Sequence, residues 1–141
     1  MIPYEQYKRV TEVLPILCVD VVVTNSSGQY LLIKRVNEPR KGQWWVIGGR
    51  VYKDETLEQA VARKVWEEAS LKIQDIKPIG YYEEFSRANP FGLTTPYHAV
   101  SVVFVTIVND CIALKLDDQS TAWKFAKDLP ADFGVRKFQI F

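Results

Sequence analysis

GGRVYKDETLEQAVARKVWEEASLKI, running from Gly48 to Ile73, is the stretch whose reading decides the fold. Thr56 followed by Gln59 is a capping box, in which the hydroxyl closes an orphan amide and the glutamine reaches back, so a helix begins there. Leu57, Val61 and Val65 recur at i, i+4 and i+8 and form one buried stripe. Arg63, Lys64, Glu67 and Glu68 fall on the faces away from it. A solvated helix with Arg63–Glu67 and Lys64–Glu68 pairs, each contributing roughly 0.2–0.5 kcal/mol, is the simplest account of those charges. The ordered spacing of Gly49, Glu55 and Arg63 goes beyond that account. Adjacent carboxylates beside a Gly-Gly loop, whose bare backbone approaches anions, supply the hard oxygen ligands that Mg2+ prefers.

Outward toward the amino terminus, Gln43 to Ile47 (QWWVI) reads as a short strand delivering the chain to Gly48. Pro15 to Thr24 is a buried strand that Asn25-Ser26-Ser27-Gly28 reverses into a second, Tyr30 to Val36. Tyr4, Tyr7 and Val10 have helical spacing and form a face for the body or a partner subunit, and Pro15 ends that helix. Beyond the central helix, Ile79–Phe85 and Tyr97–Val108 are strands separated by a loop over 86–95. Ala113–Asp118 reads as another strand or extended segment, and Ala122–Phe125 leads toward a short helix. Trp44 and Trp45 point to opposite sides of their strand, one into the core and one toward the site. Tyr81, Tyr82, Phe91 and Tyr97 bracket the 86–95 loop, mostly as core.

At 141 residues, 48% hydrophobic and 13% aromatic, residues 1–141 read as a single domain able to bury its own core. The net charge of +1 implies no nucleic acid polymer as partner. Cys18 and Cys111 lie in settings that suggest free thiols. The charged amino terminus is unlike a signal peptide and no apolar run approaches membrane-spanning length, so the expected location is cytoplasmic, with no membrane contact. Strands around a helix in this order give an α/β class.

Gly49-x5-Glu55-x7-Arg63, followed by Val65, Glu67-Glu68 and Leu71, resembles the Nudix box GX5EX7REUXEEXGU, where U is a bulky aliphatic residue. Lys64 stands where the second Glu is usual and Ser70 where Gly is usual. The run VDVVVTNSSGQYLLIKRVNEPRKGQWWVIGGRVYKDETLE is similar to GDP-mannose mannosyl hydrolases, whose box is also degenerate at the second Glu. This resemblance implies an α/β/α sandwich with a mixed β-sheet, and a Mg2+-dependent hydrolase, with Mn2+ a substitute ion. The substrate it implies is a nucleoside diphosphate-linked small molecule such as GDP-mannose, and the chain would form a homodimer.

By position, the resemblance implies that Arg35 and Arg50 contact the diphosphate. The Gly48 carbonyl, Glu68 and Gln119 match metal ligands, with Glu67 beside them, and Asp20 matches a sugar or active-site contact. For Asp20 the alternative is a strand carboxylate paired to Arg35 or Lys34. Water would attack the sugar's anomeric carbon while metal stabilises the leaving diphosphate. The similar enzymes place a His base after the ligating Gln; here that position is Ser120, and a serine hydroxyl does not take a proton near neutral pH. His98, the one histidine of the chain, is a candidate substitute, and also reads as an ordinary strand-start histidine. Glu67 or Glu83 orienting water at phosphorus would give pyrophosphate cleavage instead. A catalytically impaired nucleotide-binding module is the third reading. Lys64, one turn from Glu68, is expected to reduce the number of cations bound.

Overall fold

The computed structural model describes residues 2–36, 40–86, 96–109, 120–133 and 139–141. Helix α1 (Tyr4–Val13) precedes strands β1 (Ile16–Thr24), β2 (Tyr30–Arg35), β3 (Trp44–Trp45) and β4 (Ile47–Arg50). Helix α2 (Leu57–Ala69) follows, then β5 (Lys77–Ser86), β6 (Tyr97–Ile107), β7 (Ser120–Ala126) and β8 (Gln139–Ile140). The strands form one mixed sheet in the order β3-β2-β1-β6-β5-β8, with β4 on β1 and β7 on β2.

The valine-rich β1 is the centre of this sheet. It runs parallel to β6 over its whole length, from Ile16 beside Ala99 to Thr24 beside Ile107. Its other edge is shared. β2 pairs with it at Thr24 and Tyr30, next to the turn, where the Asn25 side chain accepts from the Ser27 and Gln29 amides at 3.1 and 2.9 Å. β4 then pairs with Cys18 through Val21. Because side chains alternate, Val19, Val21 and Val23 join Val61, Val65, Val102 and Phe104 in the core beneath α2. Cys18, Asp20 and Val22 face the other way.

α1 lies on that second face. Tyr7 and Val10 pack with Ile16, Tyr97 and Ala99, so these two residues serve the body, while Tyr4 remains exposed. The helix ends ahead of Pro15, with Leu14 extended as a residue before proline prefers. Helices on the two faces of a mixed sheet make the α/β layering expected from the sequence.

Three expectations are corrected. Gln43–Ile47 is not one strand: Val46 breaks it, β3 pairs with β2, and β4 turns to pair with β1. Gly48 and Gly49 consequently lie within β4 and not in a loop. Ala122–Phe125 does not lead into a helix but belongs to β7, where Trp123 pairs with Ile33 and Phe125 with Leu31. Its local sequence suits either state, and pairing with β2, distant in sequence, decides it. The segment Ala113–Asp118 and loop residues 87–95 fall outside the described residues.

α2 begins with the expected capping box: Gln59 N donates to Thr56 Oγ1 at 3.1 Å and Thr56 N to Gln59 Oε1 at 2.8 Å. At the other end Ser70 is in the left-handed region, at φ 55°. A non-glycine residue there costs on the order of 1 kcal/mol. Ser70→Gly is therefore expected to stabilise the protein by about 1 kcal/mol, read as a raised denaturation midpoint at unchanged slope. A lowered midpoint would show that the serine hydroxyl outweighs the backbone relief.

Candidate active site

Gly48 sits opposite Asp20 in the β4–β1 ladder with no space for a side chain. An added Cβ would collide with the Asp20 carboxylate and lie 2.7 Å from the Val19 carbonyl oxygen. The next residue is crossed by Lys64, whose Cε would be 2.5 Å from a Cβ on Gly49. The two glycines thus let α2 press its charged residues against the backbone of β4.

Glu68 is buried, at 1% exposure, and its Oε2 accepts from the Gly48 amide at 3.2 Å. This corrects the expectation that it lies on the solvated side of the helix. Glu67 is more open, with 42% of its side chain exposed. Lys64 Nζ stands 3.4 Å from Glu67 Oε2 and 3.5 Å from Glu68 Oε1.

Arg63 explains the spacing of the motif. Its Nη2 donates to Glu55 Oε1 at 2.6 Å and to the Arg50 carbonyl at 2.9 Å, and its Nε donates to Glu55 Oε2 at 3.0 Å. Glu55 also accepts from the Tyr52 amide at 2.7 Å. The 50–55 turn is thereby tied to α2. Hydrogen bonding to Arg63 holds the Glu55 carboxyl below its ordinary range. Glu67 is a secondary partner of Arg63, at 3.3 Å.

A cleft of about 650 Å3 opens on the face of β1 away from the α2 core. Asp20, Arg35, Gly48, Gly49, Arg50, Arg63 and Lys64 line it, together with Tyr82, Tyr97 and Ser101. The Arg50 guanidinium lies 4.0 Å over the Tyr7 ring and 5.2 Å from that of Tyr52, and its buried Nη1 has no hydrogen-bond partner among the described residues. Arg40, also in the lining, is taken up by Glu84 at 2.8 Å, Asp132 at 2.5 Å and the Trp45 ring at 3.6 Å. Trp45 is the buried tryptophan; Trp44 is half-buried, with Lys124 Nζ 4.3 Å over its ring.

Asp20 is held by hydroxyl groups, with the charge of Arg35 acting on it as well. Its Oδ2 accepts from Tyr82 Oη and, at 2.9 Å, from Ser101 Oγ. Burial pushes its carboxyl up to about 6, against the lowering effect of those two donors. With the folded value raised above the unfolded one, the protonated form stabilises the fold at low pH. That contribution is lost as pH rises from about 4 through about 6. Asp20→Asn keeps an oxygen for both hydroxyls and cannot ionise. Between pH 4 and pH 7 the wild type is expected to lose about 2 kcal/mol relative to this variant, in denaturant titrations at both pH values. Equal pH dependence in the two proteins would contradict the assignment.

Cys18, a free thiol 3.9 Å from Tyr97 Oη, is pushed up to about 12 by burial and is not a nucleophile. His98 is not brought to the cleft. On β6 it shares the face of Val102 and Phe104, opposite Tyr97, Ala99 and Ser101, and it stacks on Phe85 with ring centroids 4.3 Å apart. Glu83 stands beside it, 3.6 Å from His98 Nε2. Gln119 lies outside the described residues. Ser120 opens β7, and its backbone pairs with Arg35, which brings that position alongside a cleft arginine.

The cation-binding chemistry is of the right kind but thin. Glu67 and Glu68 are hard oxygen donors meeting at one point, and the Lys64 ammonium already stands there. Among the described residues no group of three or more His, Cys, Asp or Glu is arranged to hold a metal. Two carboxylates sharing one ammonium offer charge for no more than one divalent ion.

The fold is a mixed α/β sandwich whose central helix carries paired carboxylates beside a cleft lined by arginines. The NUDIX domain family model matches residues 14–132, and the chain belongs to the Nudix hydrolase family. It is 31% identical over 124 residues to the low-salt glycan biosynthesis protein Agl8 of Haloferax volcanii, covering 87% of this chain and 78% of that protein. An ADP-ribose pyrophosphatase of Methanocaldococcus jannaschii is 36% identical over 91 residues, 64% of this chain and 50% of its own length. The crystal structure of a MutT protein from Methanosarcina mazei superposes with a TM-score of 0.65 at 27% identity, covering 79% of this chain and 77% of that one. Nudix hydrolases generally use divalent metal ions. No helix among the described residues is long and apolar enough to cross a membrane.

Proposed function

We propose that this protein is a Mg2+-dependent hydrolase of a nucleoside diphosphate derivative, with a nucleotide sugar such as GDP-mannose as the leading substrate and free sugar plus nucleoside diphosphate as products. The observation that carries the reading is Arg50. Its guanidinium lies over the Tyr7 ring and near that of Tyr52, and its buried Nη1 on the cleft wall has no hydrogen-bond partner among the described residues. Such a donor costs on the order of 1–3 kcal/mol until an acceptor arrives, and a phosphate oxygen is the acceptor that a planar guanidinium fits best. Arg35 from β2 supplies a second cation. The Haloferax relative is named for glycan biosynthesis, which favours a sugar on the diphosphate.

In this mechanism Arg35 and Arg50 hold the two phosphates, and Asp20 contacts the sugar side of the cleft. Glu67, Glu68, the Gly48 carbonyl and Gln119 would hold Mg2+ or Mn2+, which supplies neutralisation of charge on the leaving diphosphate. Glu67, the more exposed of the two carboxylates, is the group placed to orient water. That placement also supports a second reading, cleavage at phosphorus, in line with the similarity to an ADP-ribose pyrophosphatase. We place the protein in the cytoplasm and assign it a homodimer, with exposed Tyr4, Val13 and Leu14 as the apolar contact.

The test is a panel of nucleotide sugars and dinucleotides with Mg2+ in heavy-oxygen water. Label in the sugar supports the leading reading and label in phosphate supports the second. No turnover with tight nucleotide binding would leave a binding module.

A further inference from the structure

We propose that the Lys64 ammonium is a built-in counter-cation of the diphosphate site, neutralising there part of the charge that a divalent ion otherwise neutralises. The inference rests on the reading that the cleft takes a nucleoside diphosphate. Lys64 is not a surface lysine. Its side chain is 12% exposed, its stem crosses Gly49, and it lines the cleft together with Arg35 and Arg50.

Its Nζ is 3.4 Å from Glu67 Oε2 and 3.5 Å from Glu68 Oε1. The two carboxylates of this pair that would hold a metal thus already share a fixed positive charge. Glu67 is further engaged by Arg63 at 3.3 Å. A divalent ion arriving there meets one uncompensated negative charge where a pair of free carboxylates would offer two, and its affinity falls accordingly. A diphosphate arriving there meets the Arg35 and Arg50 guanidiniums on the cleft wall, and the Lys64 ammonium halves the carboxylate charge that would otherwise repel it, with no metal present. An ammonium is a compact point charge, well matched to a phosphate oxygen without fixed geometry.

The consequence is a division of labour: binding of the diphosphate separates from binding of the metal. The experiment is calorimetry with GDP, in EDTA and in Mg2+, on the wild type and on Lys64→Gln, Lys64→Glu and Gly49→Ala, with Mn2+ binding followed by electron paramagnetic resonance. The wild type is expected to bind GDP in EDTA within about tenfold of its affinity in Mg2+. Lys64→Gln should weaken the EDTA affinity by about tenfold or more and change the Mg2+ affinity less. Lys64→Glu should bind Mn2+ at least about tenfold more tightly and bind GDP only with metal present. Gly49→Ala leaves every charge in place but displaces the lysine stem, and should weaken EDTA binding in the same direction.

GDP bound by the wild type only when Mg2+ is present overturns the inference and leaves the proposed function standing. So does EDTA binding that is equal in the wild type and Lys64→Gln, with thermal melts confirming that both are folded. Absence of GDP binding in both buffers overturns the inference together with the diphosphate reading.

Discussion

Glu68→Gln is expected to lower metal-dependent turnover by about three orders of magnitude, equivalent to about 4 kcal/mol of lost transition-state stabilisation, while the protein stays folded. Two features of the carboxylate give this result. Its negative charge is the part a metal needs, and an amide oxygen is a much poorer partner for a hard cation. Its hydrogen-bonding role is separable, because Gln retains an oxygen to accept from the Gly48 amide, now held at 3.2 Å by Glu68 Oε2. Lys64 keeps Glu67 at 3.4 Å when Glu68 loses its charge, so no ammonium is stranded. Glu68→Ala differs: the Gly48 N–H loses its acceptor and the protein should be less stable than the Gln variant by about 1–3 kcal/mol. Steady-state rates and denaturant titrations on both variants check the two halves. Undiminished turnover in Glu68→Gln would remove this residue from the site.

Ser120→His is expected to raise hydrolysis of GDP-mannose by about a hundredfold, the lower part of the range for a positioned general base. The gain should appear as pH rises through about 6 to 7, where an ordinary imidazole loses its proton. The backbone register supports the choice of position, since Ser120 on β7 lies opposite Arg35 on β2. His98→Ala is the companion variant. Lying on the far face of β6, stacked on Phe85, His98 should be dispensable. A wild type that already shows the imidazole rise, and loses it in His98→Ala, would contradict the proposal. A Ser120→His variant with the wild-type rate and label in phosphate would favour attack at phosphorus.

The central helix was legible because its signals are local. The capping box, the valine stripe and the motif spacing all lie within one short stretch, and each is found in the structure. Glu68 was misplaced for a physical reason: a carboxylate on a helix reads as solvated, and only β4 arriving alongside with a bare Gly48 amide buries it. Glu55 as the main partner of Arg63 was likewise hidden, since the pair closes a turn and does not follow helical periodicity. The partners of Asp20 lie on β5 and β6, and finding Ser101 and Tyr82 from sequence would require the registers of three strands at once. The hydroxyl of Ser101 within the otherwise apolar run Ala99–Val105 is the one local signal. Ala122–Phe125 reads toward a helix from its local sequence because the pairing to β2 that makes it a strand spans most of the chain.

The central place of β1 sets the order in which the molecule can be assembled. Asp20 and Ser101, the two ends of one hydrogen bond in the cleft, are 81 residues apart, and Asp20 and Tyr82 are 62 apart. Parallel pairing of β1 with β6 closes a loop that contains β2, β3, β4, α2 and β5. Such non-local closure is slow compared with forming α2 and the β1–β2 turn. On a ribosome the run Val19–Val23 emerges long before its parallel partner exists, with an unpaired apolar edge exposed in the interval. Folding yield, more than equilibrium stability, is where substitutions in β6 should first be felt.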